Sequence, residues 1–232
     1  MLSIEDLQVS YGGVRAVRGM TIKVDDGQIV GLVGANGAGK TSVLNAITGL
    51  VPRTGQVNFD GKDLGRMKTA DIVRSGVIQV AQGRQLFPDM TVLENLELGG
   101  FLLEPLQVCE GIEKIFMQFP ILKERAGQDA GTLSGGEQQM LAMARGLMGR
   151  PRVLLVDEPC LGLSPKMVGR LREVIQQING EGIAVLVVEQ NTAFVFGLAS
   201  NVYVIENGKV VLEGEPEQLS RDDRVRSAYL GI

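Results

Sequence analysis

Fully apolar runs alternate with an amphipathic helical segment in the last third of this sequence, and no other feature restricts the fold as strongly. The runs VLLV at 153–156 and IAVLVV at 183–188 leave no polar face, and SPKMVGRLREVIQQI at 164–178 repeats apolar residues every three or four positions. Strands buried on both faces are typical of parallel sheets that helices cover on each side. The sequence therefore predicts an α/β fold with a mainly parallel core sheet.

Strand patterns at the two ends of the chain enclose a helix-rich middle. The strands predicted in the first third are LSIEDLQV, TIKV, QIVGLVG, QVNF and GVIQV, and those in the last third are RVLLVD, IAVLVVE, NVYVIE and KVVLEG. The helical patterns VLENLELGGFLLE, EGIEKIFMQF and GEQQMLAMARGLM fill the middle. We therefore expect one domain over 1–232, in which 1–83 and 151–232 form an α/β core and 84–150 form a helical subdomain.

The residue inventory excludes several kinds of site. Because the 232 residues contain no histidine, zinc sites that need imidazole and Ser/His or Cys/His nucleophile pairs are excluded. The net charge of −4 argues against a nucleic-acid partner. The only cysteines, Cys109 and Cys160, indicate a reducing compartment rather than a disulfide framework. We expect neither a secretory signal in MLSIEDLQVS nor a membrane span, since the apolar runs are too short.

A glycine-rich loop, called the phosphate loop below, joins a predicted strand to a predicted helix. Residues 34–41 read GANGAGKT and match G-x-x-x-x-G-K-[ST] between QIVGLV and TSVLNAITGL. Such a loop turns backbone N–H groups and a helix N-terminus toward a triphosphate. Lys40 would contact the β- and γ-phosphates, and the Thr41 hydroxyl would bind Mg²⁺. The alternative is a glycine-rich turn with an incidental lysine. The predicted nucleotide-binding residues here are Gly34, Ala35, Asn36, Gly37, Ala38, Gly39, Lys40, Thr41 and Ser42.

Two adjacent carboxylates follow the buried strand RVLLVD. Asp157 and Glu158 would lie at the carboxyl edge of a parallel sheet, where such sheets place their ligands. We expect Asp157 to hold Mg²⁺, directly or through water, and Glu158 to orient or deprotonate an attacking water. A solvated loop start is the alternative for the pair alone. Together with the phosphate loop, the pair favours a hydrolytic site.

A second glycine-rich helix start occurs at residues 133–137, which read LSGGE and are called the signature below. Ser134 and Glu137 have the spacing of a capping box. Gly135 and Gly136 would leave bare backbone N–H groups at a helix N-terminus, where an anion is favoured. The segment is therefore either a helix cap alone or a second phosphate-binding element.

Taken in this order, the phosphate loop, the signature and the carboxylate pair resemble the ATP-binding cassette (ABC) ATPase family over essentially the whole chain. The resemblance implies a P-loop NTPase fold with an N-terminal antiparallel β-subdomain and a helical subdomain that carries the signature. It implies ATP and Mg²⁺ as ligands. It also implies a head-to-tail homo- or heterodimer with a second ABC ATPase subunit, in which Ser134, Gly135 and Gly136 of one subunit complete the ATP site of the other.

Further positions take their interpretation from the same resemblance. Tyr11 would stack on adenine, and Gln82 would link Mg²⁺ and the lytic water to the helical subdomain. Gln190 lies where the family's switch histidine is expected; its amide can bond a γ-phosphate but cannot take a proton. Ser164 lies in the place of a dimer-facing loop. The structural alternatives are surface packing for Tyr11, polar strand ends for the glutamines, and a helix cap at Ser164 with Pro165 in the first turn.

Several segments are similar to the shorter ATPase of branched-chain amino acid importers: VEQN, GRQLFPDMTVLENL, DEPCLGLSP and the final AYLGI. This resemblance implies an ATP-hydrolysing subunit, peripheral on the cytoplasmic face of the inner membrane, with integral membrane permease subunits as partners and a periplasmic or surface solute-binding protein as an indirect one. No nucleic-acid partner is implied. Apolar residues in the segment 84–122 would either form a groove for a cytoplasmic helix of the permease or belong to the core.

Other functions remain open from the sequence. Importers of urea or amides have similar ATPase sequences, and a soluble ABC ATPase can act as an ATP-dependent clamp. A clamp protein usually brings long coiled-coil inserts, zinc modules or tandem cassettes, which the 232 residues do not accommodate. A non-hydrolysing, ATP-gated module is disfavoured because Glu158 would be dispensable there.

Overall fold

Two β-sheets and a block of helices form the part of the protein that the structure, a computed structural model, describes. The described residues are 1–225, apart from the side chain of Asp223, so the final AYLGI segment lies outside them. The first sheet is antiparallel, with the strand order β2-β1-β4-β5. Its strands are β1 (Leu2–Tyr11), β2 (Val14–Val24), β4 (Thr54–Phe59) and β5 (Lys62–Asp63).

The second sheet has six strands in the order β10-β9-β3-β8-β7-β6. These are β3 (Ile29–Val33), β6 (Val77–Val80), β7 (Val153–Asp157), β8 (Ala184–Glu189), β9 (Asn201–Glu206) and β10 (Lys209–Gly214). All neighbours pair in parallel except the edge strand β10, which is antiparallel to β9. This confirms the α/β fold with a mainly parallel core sheet and an N-terminal antiparallel sheet.

The central strands are buried on both faces, as their apolar runs predict. Every residue of β3, β7 and β8 is buried. Along β8, Val185 and Val187 belong to one hydrophobic cluster, whereas Leu186 and Val188 belong to the other. Because side chains alternate across a strand, the sheet separates two cores.

Helices cover the parallel sheet and fill the middle of the sequence. They are α1 (Lys40–Ile47), α2 (Thr69–Arg74), α3 (Val92–Gly99), α4 (Pro105–Gln118), α5 (Pro120–Glu124), α6 (Gly135–Met148), α7 (Pro165–Gly180), α8 (Thr192–Phe196), α9 (Pro216–Leu219) and α10 (Asp223–Val225). Residues 84–150 hold α3 to α6 and a 3₁₀ turn at Ala130–Thr132. Within residues 1–225, no helix reaches the length and hydrophobicity that a bilayer-spanning segment needs.

Two elements differ from the sequence pattern. The pattern at 92–104 is interrupted, because α3 ends at Gly99, where any side chain would collide with the carbonyl oxygen of Arg145 on α6. A new helix then starts at Pro105, with Glu104 and Gln107 forming a capping box. The strand predicted as TIKV is only the end of β2, which begins at Val14 and pairs along β1 through several register shifts.

Candidate functional site

Three loops meet at the carboxyl edge of the parallel sheet. The phosphate loop follows β3, the carboxylate pair ends β7, and Gln190 follows β8. Since β3 and β7 both pair with β8 in parallel, the three strand ends are adjacent. This is the edge at which open α/β sheets bind ligands.

The phosphate loop depends on its glycines for two different reasons. Gly37 and Gly39 have φ values of +80° and +105°, in the left-handed region that favours glycine. A Cβ at Gly39 would also collide with the carbonyl oxygen of Ala16, and one at Gly34 would lie 2.6 Å from that of Ile205. Gly39 is the N-cap of α1 and offers no side chain to the first-turn N–H groups, which leaves them free for an anion.

The ammonium group of Lys40 lies at the centre of the site. Its side chain is only 3% exposed. Nζ donates to the carbonyl oxygens of Gly34 (2.9 Å) and Ala35 (3.1 Å) and pairs with Oε1 of Glu158 at 3.1 Å. The lysine and the carboxylate were predicted as parts of one site, and the structure brings them into direct contact.

Asp157 has the properties of a cation ligand. Thr41 Oγ1 donates to its Oδ1 at 3.3 Å, whereas its buried Oδ2 has no hydrogen-bond partner among the described residues. Burial raises the pKa of Asp157 to about 6; the Thr41 hydrogen bond opposes the rise, and the negative charge of Glu158 adds to it. An orphaned buried carboxylate oxygen beside a hydroxyl fits a divalent cation that prefers oxygen ligands, and such a cation would remove the cost of ionising Asp157.

Glu158 is held in a strained conformation with both carboxylate oxygens engaged. Its φ of +44° lies in the left-handed region, which is costly for a residue with a side chain and is common at functional sites. Its backbone N–H donates to Val188 O at 2.8 Å. Besides the contact with Lys40, Gln82 Nε2 donates to Glu158 Oε2 at 2.8 Å. Gln82 is thus in direct contact with Glu158, whereas its expected link to Mg²⁺ and the lytic water stays a prediction.

A cleft of about 590 Å³ opens over this cluster. Its lining includes Tyr11, whose side chain is exposed at the rim. Ala16 and Leu161 also line the cleft, and no motif in the sequence signals them. The predicted residues that line it are Tyr11, Asn36, Gly37, Gly39, Lys40, Thr41, Ser42, Gln82 and Glu158.

Gln190 is adjacent to the site but is not among the residues that line the cleft. Its side chain is exposed. Its backbone N–H donates to Oε2 of Glu189 at 3.0 Å. A role for the Gln190 amide at a phosphate stays a prediction.

The signature forms the N-terminus of α6 and does not line the cleft. Ser134 and Glu137 make both hydrogen bonds of a capping box, and these bonds hold the pKa of Glu137 below its usual value. A Cβ at Gly136 would overlap the Met167 side chain of α7, so this glycine allows close packing. The capping interpretation is confirmed, and phosphate binding by the signature stays a prediction. Ser164 likewise caps α7, accepting a hydrogen bond from the Met167 N–H.

Arg84, two residues after Gln82, is bonded to the signature helix α6, and no motif in the sequence predicts this contact. Arg84 donates to Gln138 Oε1 of α6 at 2.8 Å, and Arg145 of α6 donates to the Arg84 carbonyl at 3.2 Å. Arg84 has a left-handed φ of +65°. A lysine- or arginine-rich motif is absent here, so nothing in the sequence distinguishes Arg84 from a solvated charge.

The chain is similar over its whole length to known proteins. The ABC transporter family matches residues 17–161. The high-affinity branched-chain amino acid transport ATP-binding protein BraG of Pseudomonas aeruginosa is 41% identical over 100% of both chains. BraF of the same organism is 34% identical over 100% of this chain and 98% of its own. The crystal structure of the ADP conformation of MJ1267, an ATP-binding cassette of an ABC transporter, superposes with a TM-score of 0.86 at 29% identity, covering 100% of this chain and 99% of that one.

Proposed function

The chain is an ATPase of the ABC transporter family, and from that premise we propose that it energises the uptake of branched-chain amino acids through partner membrane subunits. The similarity to BraG supports this transported class, since BraG is described as a branched-chain amino acid transport protein. The alignment with BraG covers both chains from end to end, and its identity is higher than that of the alignment with BraF. This difference supports a role as the shorter ATPase of such an importer.

One observation carries the site assignment: Lys40, Asp157 and Glu158 converge at one sheet edge beneath the phosphate loop. We assign the β- and γ-phosphates of ATP to the loop N–H groups and to Lys40. A phosphate oxygen would compete with Glu158 for the lysine ammonium. Binding of ATP would thereby release the Glu158 carboxylate toward the γ-phosphate.

Thr41 and Asp157 would hold Mg²⁺, because they supply a hydroxyl and an orphaned carboxylate oxygen next to the phosphate loop. When bound, the ion neutralises charge that develops on the transferred phosphoryl group. We also assign Gln82 to Mg²⁺ and the lytic water, because it lines the same cleft as Thr41 and its amide bonds Glu158.

Glu158 is the residue that we assign to the attacking water. A carboxylate at hydrogen-bonding distance can accept a proton from water or fix its direction of attack. The chain has no histidine that could do so. Gln190, whose amide cannot take a proton at neutral pH, would contact the γ-phosphate as a hydrogen-bond partner only.

The remaining site residues would contact the adenine of this nucleotide or the ATP of a second subunit. Tyr11 lies at the rim of the cleft, where its ring would stack on adenine. The signature does not line the same cleft, so we assign its N–H groups and Ser134 to the ATP of a second ABC ATPase subunit. ATP would then be enclosed between two subunits in a head-to-tail dimer.

We place the protein on the cytoplasmic face of the inner membrane, attached through its permease partners. A groove of about 400 Å³ between β6, α3 and α6 is lined by apolar residues such as Val80, Phe87 and Leu98. Phe87 and Leu102 are exposed, whereas Phe119 is buried in the core. Of the apolar residues in segment 84–122, we assign Phe87 and Leu98 to this groove and Phe119 to the core. A cytoplasmic helix of the permease would dock in the groove.

Uptake in cells tests the proposal. A strain that lacks the chain should lose uptake of radiolabelled leucine, and the wild-type gene should restore it, whereas the Glu158→Gln variant should not. The exposed acid Glu173 provides a matched Glu173→Gln control, which should restore uptake fully. Loss of urea or amide uptake instead of leucine uptake would contradict the transported class. Recovery of nucleic acid rather than membrane proteins with the purified chain would contradict the importer itself.

A further inference from the structure

Glu189, the last residue of β8, is a buried carboxylate outside the phosphate loop, the signature and the carboxylate pair. It is 4% exposed. Its Oε1 accepts a hydrogen bond from the backbone N–H of Cys160 at 2.7 Å. Its Oε2 accepts from the backbone N–H groups of Gln190 (3.0 Å) and Asn191 (3.2 Å). One side chain therefore joins the loop that follows Glu158 to the segment that contains Gln190.

The backbone around Glu189 extends the same connection to the phosphate loop. Its carbonyl oxygen accepts from the N–H of Gly34 at 3.4 Å, and the preceding residue, Val188, accepts from the N–H of Glu158 at 2.8 Å. The three elements that would surround a γ-phosphate are the phosphate loop, the loop of Glu158 and the segment of Gln190. All three are bonded to residues 188–189.

The chemistry of the bridge requires a carboxylate. Backbone N–H groups approach both oxygens of Glu189, and a carboxylate is the only side-chain group of this length that accepts at both ends. A glutamine would direct its NH₂ group against one of the N–H donors. The charge has a cost, because the negative charge of Glu189 adds to the rise in the pKa of Asp157. Burying a third carboxylate beside Asp157 and Glu158 is therefore not explained by packing alone.

We infer that Glu189 is a positioning residue that couples Gln190 to Glu158. A shift of the Gln190 backbone when its amide meets a γ-phosphate would move the Glu189 carboxylate, and with it the Cys160 N–H and the loop that orients Glu158. Glu189 thereby makes the geometry of the hydrolytic carboxylate depend on the phosphate contact. The inference rests on the proposed function, since it takes Glu158 and Gln190 as parts of the hydrolytic site.

Steady-state kinetics of the full chain provide the first test. Glu189→Gln should lower kcat on the order of 10²-fold, because a displacement of about 1 Å is enough for such a loss. The KM for ATP and the affinity for a non-hydrolysable ATP analogue should stay within about threefold, because the phosphate loop and Lys40, which supply most of the phosphate contacts, are unchanged. Glu189→Asp keeps the charge but is one methylene shorter, so it should show the same loss. Wild-type kcat in either variant would overturn the inference.

A double-mutant cycle separates positioning from general damage. If Glu189 acts through Glu158, adding Glu189→Gln to a Glu158→Gln chain should change the residual hydrolysis by less than about twofold. A further loss as large as that in the wild-type background would overturn the inference. Unchanged hydrolysis in the Glu158→Gln single variant would instead remove Glu158 from the site, and so contradict the proposed function first.

Two control variants keep the test independent of folding. Val185→Ala creates a buried cavity on the same strand, where the residue is fully buried, without touching the bridge. Its kcat per folded molecule, with the folded fraction taken from urea unfolding, should equal that of the wild type. Glu173→Gln makes the same acid-to-amide change at an exposed ion pair and should leave kcat unchanged. If Val185→Ala lowers kcat as much as Glu189→Gln does, strand destabilisation explains the loss and the inference is wrong.

Discussion

The buried carboxyl of Asp157 should make the stability of the metal-free, nucleotide-free protein fall as the pH rises. Its pKa is raised from 3.8 to about 6, mainly by burial. A tenfold difference in proton affinity between the folded and unfolded states is worth about 1.4 kcal/mol. Ionised Asp157 therefore destabilises the fold by roughly 3 kcal/mol once the pH is well above 6.

The direction follows from which state holds the proton more tightly. Because the folded-state pKa is the higher one, the stabilising contribution is complete below about pH 4 and is lost as the pH rises through about 6. Between pH 5 and pH 7 the expected loss is roughly 1 kcal/mol. The chain has no histidine, so no imidazole titrates in this window and obscures the change.

Urea unfolding followed by circular dichroism, in EDTA and without nucleotide, measures this loss in the wild type and in Asp157→Asn. The variant should lack the slope between pH 5 and pH 7 and should be more stable at pH 7 by roughly 1–3 kcal/mol. Asp89→Asn, at an exposed loop position, should retain the wild-type slope.

MgATP should reverse the order of the two proteins. Ligand at 1,000 times its Kd stabilises a folded protein by about 4.1 kcal/mol, which is more than the advantage of the variant at pH 7. The wild type should gain this, whereas Asp157→Asn lacks the proposed Mg²⁺ ligand and should gain much less. An Asp157→Asn variant that keeps the wild-type pH slope, or that is equally stabilised by MgATP, would refute the reasoning.

Three further substitutions test the site. Gly39→Ala should lower the free energy of unfolding, measured in urea, by at least about 2 kcal/mol, because its φ of +105° and the Ala16 carbonyl both exclude a Cβ. Gly13→Ala, where a Cβ meets nothing, is the control. A Gly39→Ala variant as stable as the control would contradict the packing argument. Lys40→Ala should abolish MgATP binding in calorimetry, and retained binding would exclude the lysine from the phosphate site. Gln190→Ala should lower kcat partially, whereas full activity would leave it a polar strand end.

The sequence predicts the parts of this site that depend on local chemistry. Strand burial on both faces follows from apolar runs. The helix caps at Ser134 and Ser164 follow from local spacing, because a capping side chain bonds a backbone N–H only three residues further on. The position of Asp157 beside Thr41 follows from the rule that parallel strands end at a common edge. These relations need no knowledge of distant packing.

Other features arise from contacts that no local pattern encodes. The end of α3 at Gly99 lies against the backbone of α6, where no Cβ fits, although the hydrophobic spacing continues past it. The left-handed φ of Glu158 and the three N–H groups bonded by Glu189 appear only when strands distant in sequence are paired. From the sequence alone, a glutamate at the end of an apolar strand cannot be distinguished from a glutamate that is exposed to solvent.

The phosphate loop lies between two other segments of the protein and contacts both. Gly39 lies against the carbonyl of Ala16 on β2, and the N–H of Gly208, in the turn between β9 and β10, donates to the Ala38 carbonyl at 3.1 Å. The conformation of the loop is thus fixed by contacts with the antiparallel sheet and with the β9–β10 edge of the parallel sheet. ATP bound in the loop, as we propose, would meet a preorganised cradle and would lose little binding free energy to ordering it. Nucleotide affinity would in this sense depend also on residues outside the motif, and substitutions in the turn between β9 and β10 could weaken it by altering the shape of the loop.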